Sequence, residues 1–398
     1  MQLNENMSIF EKLQQVNPEA EIWWDSSPLI YESWADELLN SLKDKDKKEK
    51  IKKYLLHLHN PDNPEKFFFR GATTNPPLSL GVLSYHKQVW RKFANRVIRI
   101  SPNKTPGQIF WQMYKEIIRK GAEFFLPIFE SSGYKYGYIS AQLDPRDKEN
   151  FDFMLEQAQE LASLSPNVMI KVPGTKEGYD LIKVLTSRGI PTNNTLSFMV
   201  PQFVTCVNAV KEGLKIAKAK GVDLTTWRSV ITFMSARFTS LGDLEKEAKQ
   251  KDIQLSEEDI RWVELAIMKK AYRIIKEGGY PSKMLLCSMR ISPTINGEKR
   301  CWALEKLAGA DIVYTCPPKF IAPLLLEGDY IELSNQIDEP VPDDVLQKLL
   351  KIDYFAKGYD EKGYKPEEFN FHPALLNTAK QFSGAVKGMI DFVKESMR

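Results

Sequence analysis

The chain has 398 residues, with 55 Lys or Arg against 52 Asp or Glu and a formal net charge of +3. That balance argues against a nucleic-acid binder held mainly by phosphate contacts, which needs a concentrated basic surplus. A hydrophobic content of 43% with 11% aromatics supports a large core and excludes a disordered chain. In chain order, the opening MQLNENMSIFEKLQQ is polar and lacks the apolar centre of a signal peptide. Short apolar, β-branched runs follow at 22–25 (IWWD), 67–72 (FFFRGA), 136–143 (YGYISAQL) and 168–172 (VMIKV). Four more lie at 190–196 (IPTNNTL), 229–234 (SVITFM), 284–288 (MLLCS) and 311–315 (DIVYT). Most end in polar residues, as strands buried on both faces of a parallel sheet do. Helical patterns such as 148–164 and 201–220 separate them. Eight strands alternating with helices predict an α/β chain folded as a (β/α)8 TIM barrel.

Two segments exceed a minimal barrel. A helical insertion at 31–65 contains the lysine-heavy stretch KDKDKKEKIKK (43–53), whose mixed charges read as a solvated helix face. Beyond 327, DDVLQKLLKIDYF and PALLNTAKQFSGAVKGMIDFVKESM read as amphipathic helices, joined by a loop or hinge at 358–366. The expected organisation is therefore a catalytic barrel over 1–330 and a C-terminal helical extension over 331–398. No internal repeat is evident, and no apolar run reaches the roughly 20 residues of a membrane-spanning helix. Cys206, Cys287, Cys301 and Cys316 show neither metal spacing nor disulfide density. A soluble protein of the reducing cytoplasm, free of membrane and nucleic acid, is the expectation.

Polar residues at barrel strand ends point into an active site. Here they are Asp25, Asn75, Gln142, Lys171, Asn193 with Thr195, Thr232 with Arg237, and Ser288 with Arg290. Lys171 is central, because an ammonium among apolar strand residues is costly to bury unless paired or deprotonated. As a free amine it could attack a carbonyl to give a Schiff base; as a structural lysine it would pair with a neighbouring carboxylate. The strand alone leaves both open. His57 and His59, at i, i+2 in a helical stretch, point apart and are expected as surface histidines rather than metal ligands. Thr175, ahead of KEGYDLIKVL, reads as a helix N-cap, since GTKEG lacks the ending of a phosphate loop. The pair Trp23-Trp24 reads as core, with Trp24 bordering the Asp25 position.

Taken together, several stretches resemble the transaldolase family. GATTNPPLSL (71–80) is similar to its asparagine-bearing ATTNPSL motif, and VMIKVPGTKEGYDLIKVL (168–185) to its Schiff-base segment. GIPTNNTLSF, ITFMSARFTSLGD, LLCSMRI and AGADIVYTCPPKFIAPLL resemble the later strands, and WWDSSPL the first. The resemblance runs from Trp23 to Leu325. It implies a transferase of carbohydrate metabolism (the pentose phosphate pathway) that uses no cofactor and no metal. Lys171 would form the imine, Asp25 would act as general base, and Thr195 would hold the proton-shuttling water with the residue at 142. Asn75, Asn193 and Thr232 would bind the three-carbon unit, while Arg237, Arg290 and Ser288 would grip the phosphate of sugar-phosphate substrates. Read alone, each arginine could be a surface ion pair, but their separate occurrence just past two strands favours the phosphate role. Family members are commonly dimers, so a homodimer is the assembly the resemblance suggests, although no pattern specifies an interface.

One departure matters. Where the family carries a catalytic glutamate, the chain has Gln142, which can hold a water but cannot accept a proton near neutral pH. Fructose-6-phosphate aldolases of the same superfamily also carry glutamine there, paired with a tyrosine where this chain has Met234. Asp144 is a second acidic candidate, although Asp144-Pro145-Arg146 also reads as an ordinary strand-to-helix turn. Gly71 replaces the usual aspartate before ATTNP. The alternatives to transfer are therefore an aldolase, acting on a related sugar phosphate or in secondary metabolism, and a non-catalytic sugar-phosphate-binding barrel. A binding role needs no amine at 171.

Overall fold

The computed structural model describes residues 7–60 and 62–397. The first six residues of the polar opening segment, position 61 of the insertion and position 398 of the extension lie outside the described residues. The eight barrel strands are β1 (Glu21–Trp24), β2 (Phe69–Thr73), β3 (Tyr138–Gln142), β4 (Val168–Pro173), β5 (Thr192–Thr195), β6 (Ser229–Met234), β7 (Lys283–Cys287) and β8 (Val313–Cys316). They close into a barrel in chain order. The pairs β2–β3, β3–β4, β5–β6, β6–β7 and β7–β8 are parallel. With helices between the strands this is the expected (β/α)8 barrel. All eight strand readings land on strands, and at β6 the bounds coincide.

By contacts the chain divides into two compact units, Trp24–Lys171 with Ala379–Arg398, and Met1–Trp23 with Val172–Thr378. In the first, the insertion forms helices Tyr31–Ser41 and Lys45–Leu58. Asp44 caps the second by accepting from the Lys47 amide, and Ile51, Tyr54, Leu55 and Leu58 are buried while the lysines between them face water. Trp24 packs against Tyr31, Trp34 and Phe69, so the tryptophan belongs to the core. A further three helices, Pro76–Tyr85, Lys87–Ile100 and Pro106–Ser131, lie between β2 and β3. That is more than a minimal barrel and more than the sequence pattern suggested.

His59 corrects an expectation. It is only 2% exposed, because the helix ends at Leu58 and the extended backbone at His59 turns the ring inward. The imidazole stacks on Phe124 at 4.1 Å and touches Phe67 and Tyr31. His57, by contrast, is exposed.

In the second unit, Thr175 caps helix Lys176–Thr186 by accepting from the Gly178 amide at 3.0 Å, as expected. Glu21 is buried and accepts from Arg228 at 2.6 Å and Lys283 at 2.8 Å. Burial raises its pKa, but the two cations outweigh this and hold it below the usual carboxylate range. The single amphipathic helix expected over DDVLQKLLKIDYF is instead two, Asp343–Leu349 and Asp353–Tyr359. Ile352, Tyr354 and Phe355 are all buried around the break, whereas one straight helix would turn Tyr354 away from the face that Ile352 and Phe355 share. Helix Pro373–Ser396 follows. Among the described residues no helix is long and apolar enough to cross a membrane.

Candidate active site

The strand ends of the first unit gather Asp25, Asn75, Gln142 and Lys171. Lys171 is 4% exposed on β4, and its Nζ donates to the Thr74 carbonyl at 3.0 Å. Thr74 is held in turn, its hydroxyl donating to the Ser140 carbonyl at 2.7 Å. The amine thus has a fixed direction at the end of β4. Gln142 is paired in register with Lys171, and partners across a parallel ladder project to one side of the sheet. Its backbone is pinned by Tyr114. The Tyr114 hydroxyl accepts from the Gln142 amide and donates to its carbonyl, each at 2.9 Å. The side-chain Oε1 of Gln142 is buried and has no hydrogen-bond partner among the described residues.

Asp25 lies one residue past β1, and its Oδ1 accepts from the Thr73 hydroxyl at 2.7 Å. Asn75 caps helix Pro76–Tyr85, with Oδ1 accepting from the Leu78 amide at 3.0 Å. The cap fixes the amide plane and directs Nδ2 away from the helix as a donor. Asp144 is taken by the turn. Its carboxylate caps Pro145–Asp147 and binds Arg146 bidentately, with Nη2 at 2.6 Å. That engagement makes it an unfavourable substitute base.

In the second unit, Asn193 and Thr195 on β5 meet Thr232 and Met234 on β6. The Thr232 hydroxyl donates to Asn193 Oδ1 at 2.7 Å, and Thr195 Oγ1 lies 3.9 Å from the Met234 sulfur. All four are buried. Thr232 therefore orients Asn193, and Ser197 supports the same point by donating to the Thr232 carbonyl at 2.5 Å. Arg237 is half-buried on helix Ser235–Leu241. Ser288, directly after β7, has φ of +62°, a left-handed conformation that a serine adopts only when its surroundings impose it. Arg290 is exposed, and its Nη2 donates to the carbonyl of Ala236, the neighbour of Arg237, at 3.3 Å. The structure thus brings the helix bearing Arg237 and the segment bearing Arg290 together.

Thr73, Thr74, Tyr114 and Ser197 are the supporting residues that sequence reasoning missed. The two threonines lie inside ATTNP and were within reach of that motif. Tyr114 sits 28 positions from Gln142 on another element, and no local pattern marks it. Among the described residues no group of three or more His, Cys, Asp or Glu could hold a metal ion.

Comparison with known proteins shows the family of the chain. A family model described as transaldolase/fructose-6-phosphate aldolase matches residues 44–372. That span holds every candidate residue except Asp25, which precedes it. A transaldolase of Thiobacillus denitrificans is 29% identical over 279 residues, 65% of this chain and 76% of that protein. Transaldolase 1 of Streptomyces avermitilis is 30% identical over 172 residues, 43% of this chain and 45% of its own length. A transaldolase of Kocuria rhizophila is 31% identical over 184 residues, 45% and 48% of the two chains. The chain thus spans about half the length of the latter two relatives.

Proposed function

Because the chain belongs to the transaldolase/fructose-6-phosphate aldolase family, we propose that it moves a dihydroxyacetone unit from a ketose phosphate to an aldose phosphate through a Schiff base on Lys171. The observation that carries this reading is the buried Lys171 amine, aimed by the Thr74 carbonyl and paired in register with Gln142. The amine attacks the C2 carbonyl, and water leaves to give the iminium. Asp25, oriented by Thr73, takes the C4 hydroxyl proton as the C3–C4 bond breaks. The bonding electrons flow into the iminium, the aldehyde departs, and an enamine stays on Lys171. The enamine then attacks the acceptor aldehyde, Asp25 returns its proton to the new hydroxyl, and hydrolysis frees the product. Asn75 and Asn193, the latter set by Thr232, bind the three-carbon unit between the half-reactions. Gln142 and Thr195 each assist proton transfer through water during imine formation. Arg237, Arg290 and Ser288 hold the phosphate.

A second reading, an aldolase that uses free dihydroxyacetone, is favoured by one observation, the glutamine at 142. Borohydride reduction with fructose 6-phosphate, followed by intact mass, tests the shared chemistry. The native protein should gain the mass of the reduced adduct, and Lys171→Ala should not. An adduct on the variant would move the chemistry to another amine. Transfer to erythrose 4-phosphate, scored against release of free dihydroxyacetone, separates the two enzymes.

The same reading treats 1–330 as the catalytic barrel and 331–398 as its extension. A cytoplasmic location is supported by four buried cysteines that form no disulfide among the described residues. The near-neutral charge supports small-molecule rather than nucleic-acid partners. A homodimer is the assembly the family suggests, to be checked by the mass in solution.

A further inference from the structure

Arg237 rides on a helix too short to hold itself. Helix Ser235–Leu241 has seven residues and no side-chain N-cap. A helix of that length is unstable on its own, and its last four carbonyls have no intrahelical donor. Two of those carbonyls are satisfied from the C-terminal extension. The Tyr354 hydroxyl donates to the Phe238 carbonyl at 2.9 Å, and Asn377 Nδ2 donates to the Leu241 carbonyl at 2.8 Å.

The packing around these bonds is aromatic. The Tyr354 and Phe238 rings stack 4.5 Å apart at 25°. His372 stacks near both, at 6.0 Å from Phe238 and 5.2 Å from Tyr354. It also lies 6.1 Å from Phe198, just past the Thr195 strand end. Tyr354 is itself fixed, because its amide donates to Glu247 at 2.7 Å. Position 242 must stay glycine for this contact, since a Cβ there would lie 1.8 Å from the Tyr354 hydroxyl.

We infer that Tyr354 and Asn377 are positioning residues for Arg237: the extension caps the arginine's helix from outside and thereby sets affinity for phosphate. This rests on the reading of Arg237 as a phosphate ligand. Inorganic phosphate is the probe, because its binding needs no Schiff base. Tyr354→Phe keeps the ring stack and removes only the hydroxyl, so the fold should survive. Tyr354→Phe and Asn377→Ala should each weaken phosphate about 3–10-fold, the scale of one neutral hydrogen bond. The KM for fructose 6-phosphate should rise in parallel at unchanged kcat. Borohydride trapping with unphosphorylated dihydroxyacetone should not change.

The decisive measurement is the double-mutant cycle with Arg237→Ala. Residues that act through one another are non-additive, so Tyr354→Phe should cost no further phosphate affinity once Arg237 is gone. Full additivity, or equal losses on phosphorylated and unphosphorylated substrates, would overturn the inference. If Arg237→Ala leaves phosphate binding intact, the phosphate reading of Arg237 falls and this inference with it. If native Lys171 forms no adduct while the cycle still couples, the Schiff-base reading fails and the positioning role stands.

Discussion

Gln142→Glu probes the residue by which this chain departs from its family, and its outcome follows from two opposed effects. The side chain is 3% exposed, lies in register with Lys171, and has an Oε1 with no hydrogen-bond partner among the described residues. A carboxylate in that place supplies the missing proton acceptor, and such groups contribute about 10²–10⁴-fold. The same carboxylate stabilises the ammonium form of its neighbour. An opposite charge within contact raises an amine by about 1–3 in pKa, and each step in pKa removes roughly tenfold of the free amine. At the mild end of that range the gain exceeds the loss by about tenfold or more. The variant should therefore form the imine faster near neutral pH. The assay is the time course of adduct mass under borohydride quench with fructose 6-phosphate, repeated across pH. A new acidic limb should appear as the introduced carboxylate titrates. A slower rate at every pH would refute this reasoning. It would mean that the pocket is built around the amide, and the aldolase reading would then take precedence.

Asp25→Asn should still trap the imine but stall carbon–carbon cleavage, because the amide keeps its bond to Thr73 without accepting a proton; normal turnover would place the base elsewhere. Arg237→Ala and Arg290→Ala should each weaken phosphorylated substrates by about 1.5–3 kcal/mol, the scale of a charged hydrogen bond. Unphosphorylated ketoses should be spared, and equal losses on both would make the arginines structural. Acid should destabilise the fold before the carboxylates titrate. Burial pushes His59 down to about 4 and His372 to about 3, against about 6.5 in the unfolded chain. For a base depressed in the folded state, the unfolded chain takes up protons first. Stability is therefore complete above pH 6.5 and falls as pH drops towards those values, by up to about 1.4 kcal/mol per pH step for each histidine. His372→Phe should flatten that slope in urea titrations, and an unchanged slope would rule the ring out as the cause.

Much of the fold was legible because its signal is local. Apolar β-branched runs mark buried parallel strands whatever surrounds them, so β6 emerged with its bounds intact. Thr175 was readable as a cap because capping needs only three following residues. The reading went wrong where one side chain's fate depends on a distant element. The pattern around His59 is polar and helical, yet Phe124 and Phe67 cover the ring. At Asp144 the sequence left a second acidic candidate and an ordinary turn both open, and the turn is what forms, with Arg146 two residues on binding the carboxylate.

The candidate site divides along the same line. Residues that would touch substrate sit at strand ends or just past them, so Lys171, Asp25, Asn193 and, on the short helix after β6, Arg237 could be named as candidates from sequence. The residues that hold them are different in kind. Tyr114 closes both backbone bonds of Gln142 from a helix 28 positions upstream. Tyr354 reaches the Arg237 helix across 116 positions of sequence. Neither needs a particular neighbour in the chain, only a hydroxyl delivered to one carbonyl by packing, and many sequences can deliver it. A departure such as Gln142 must therefore be judged against this supporting layer. Tyr114 binds the backbone of residue 142 rather than its side chain, so the strand end should hold glutamine or glutamate alike, and any difference between them should appear in proton transfer rather than in folding.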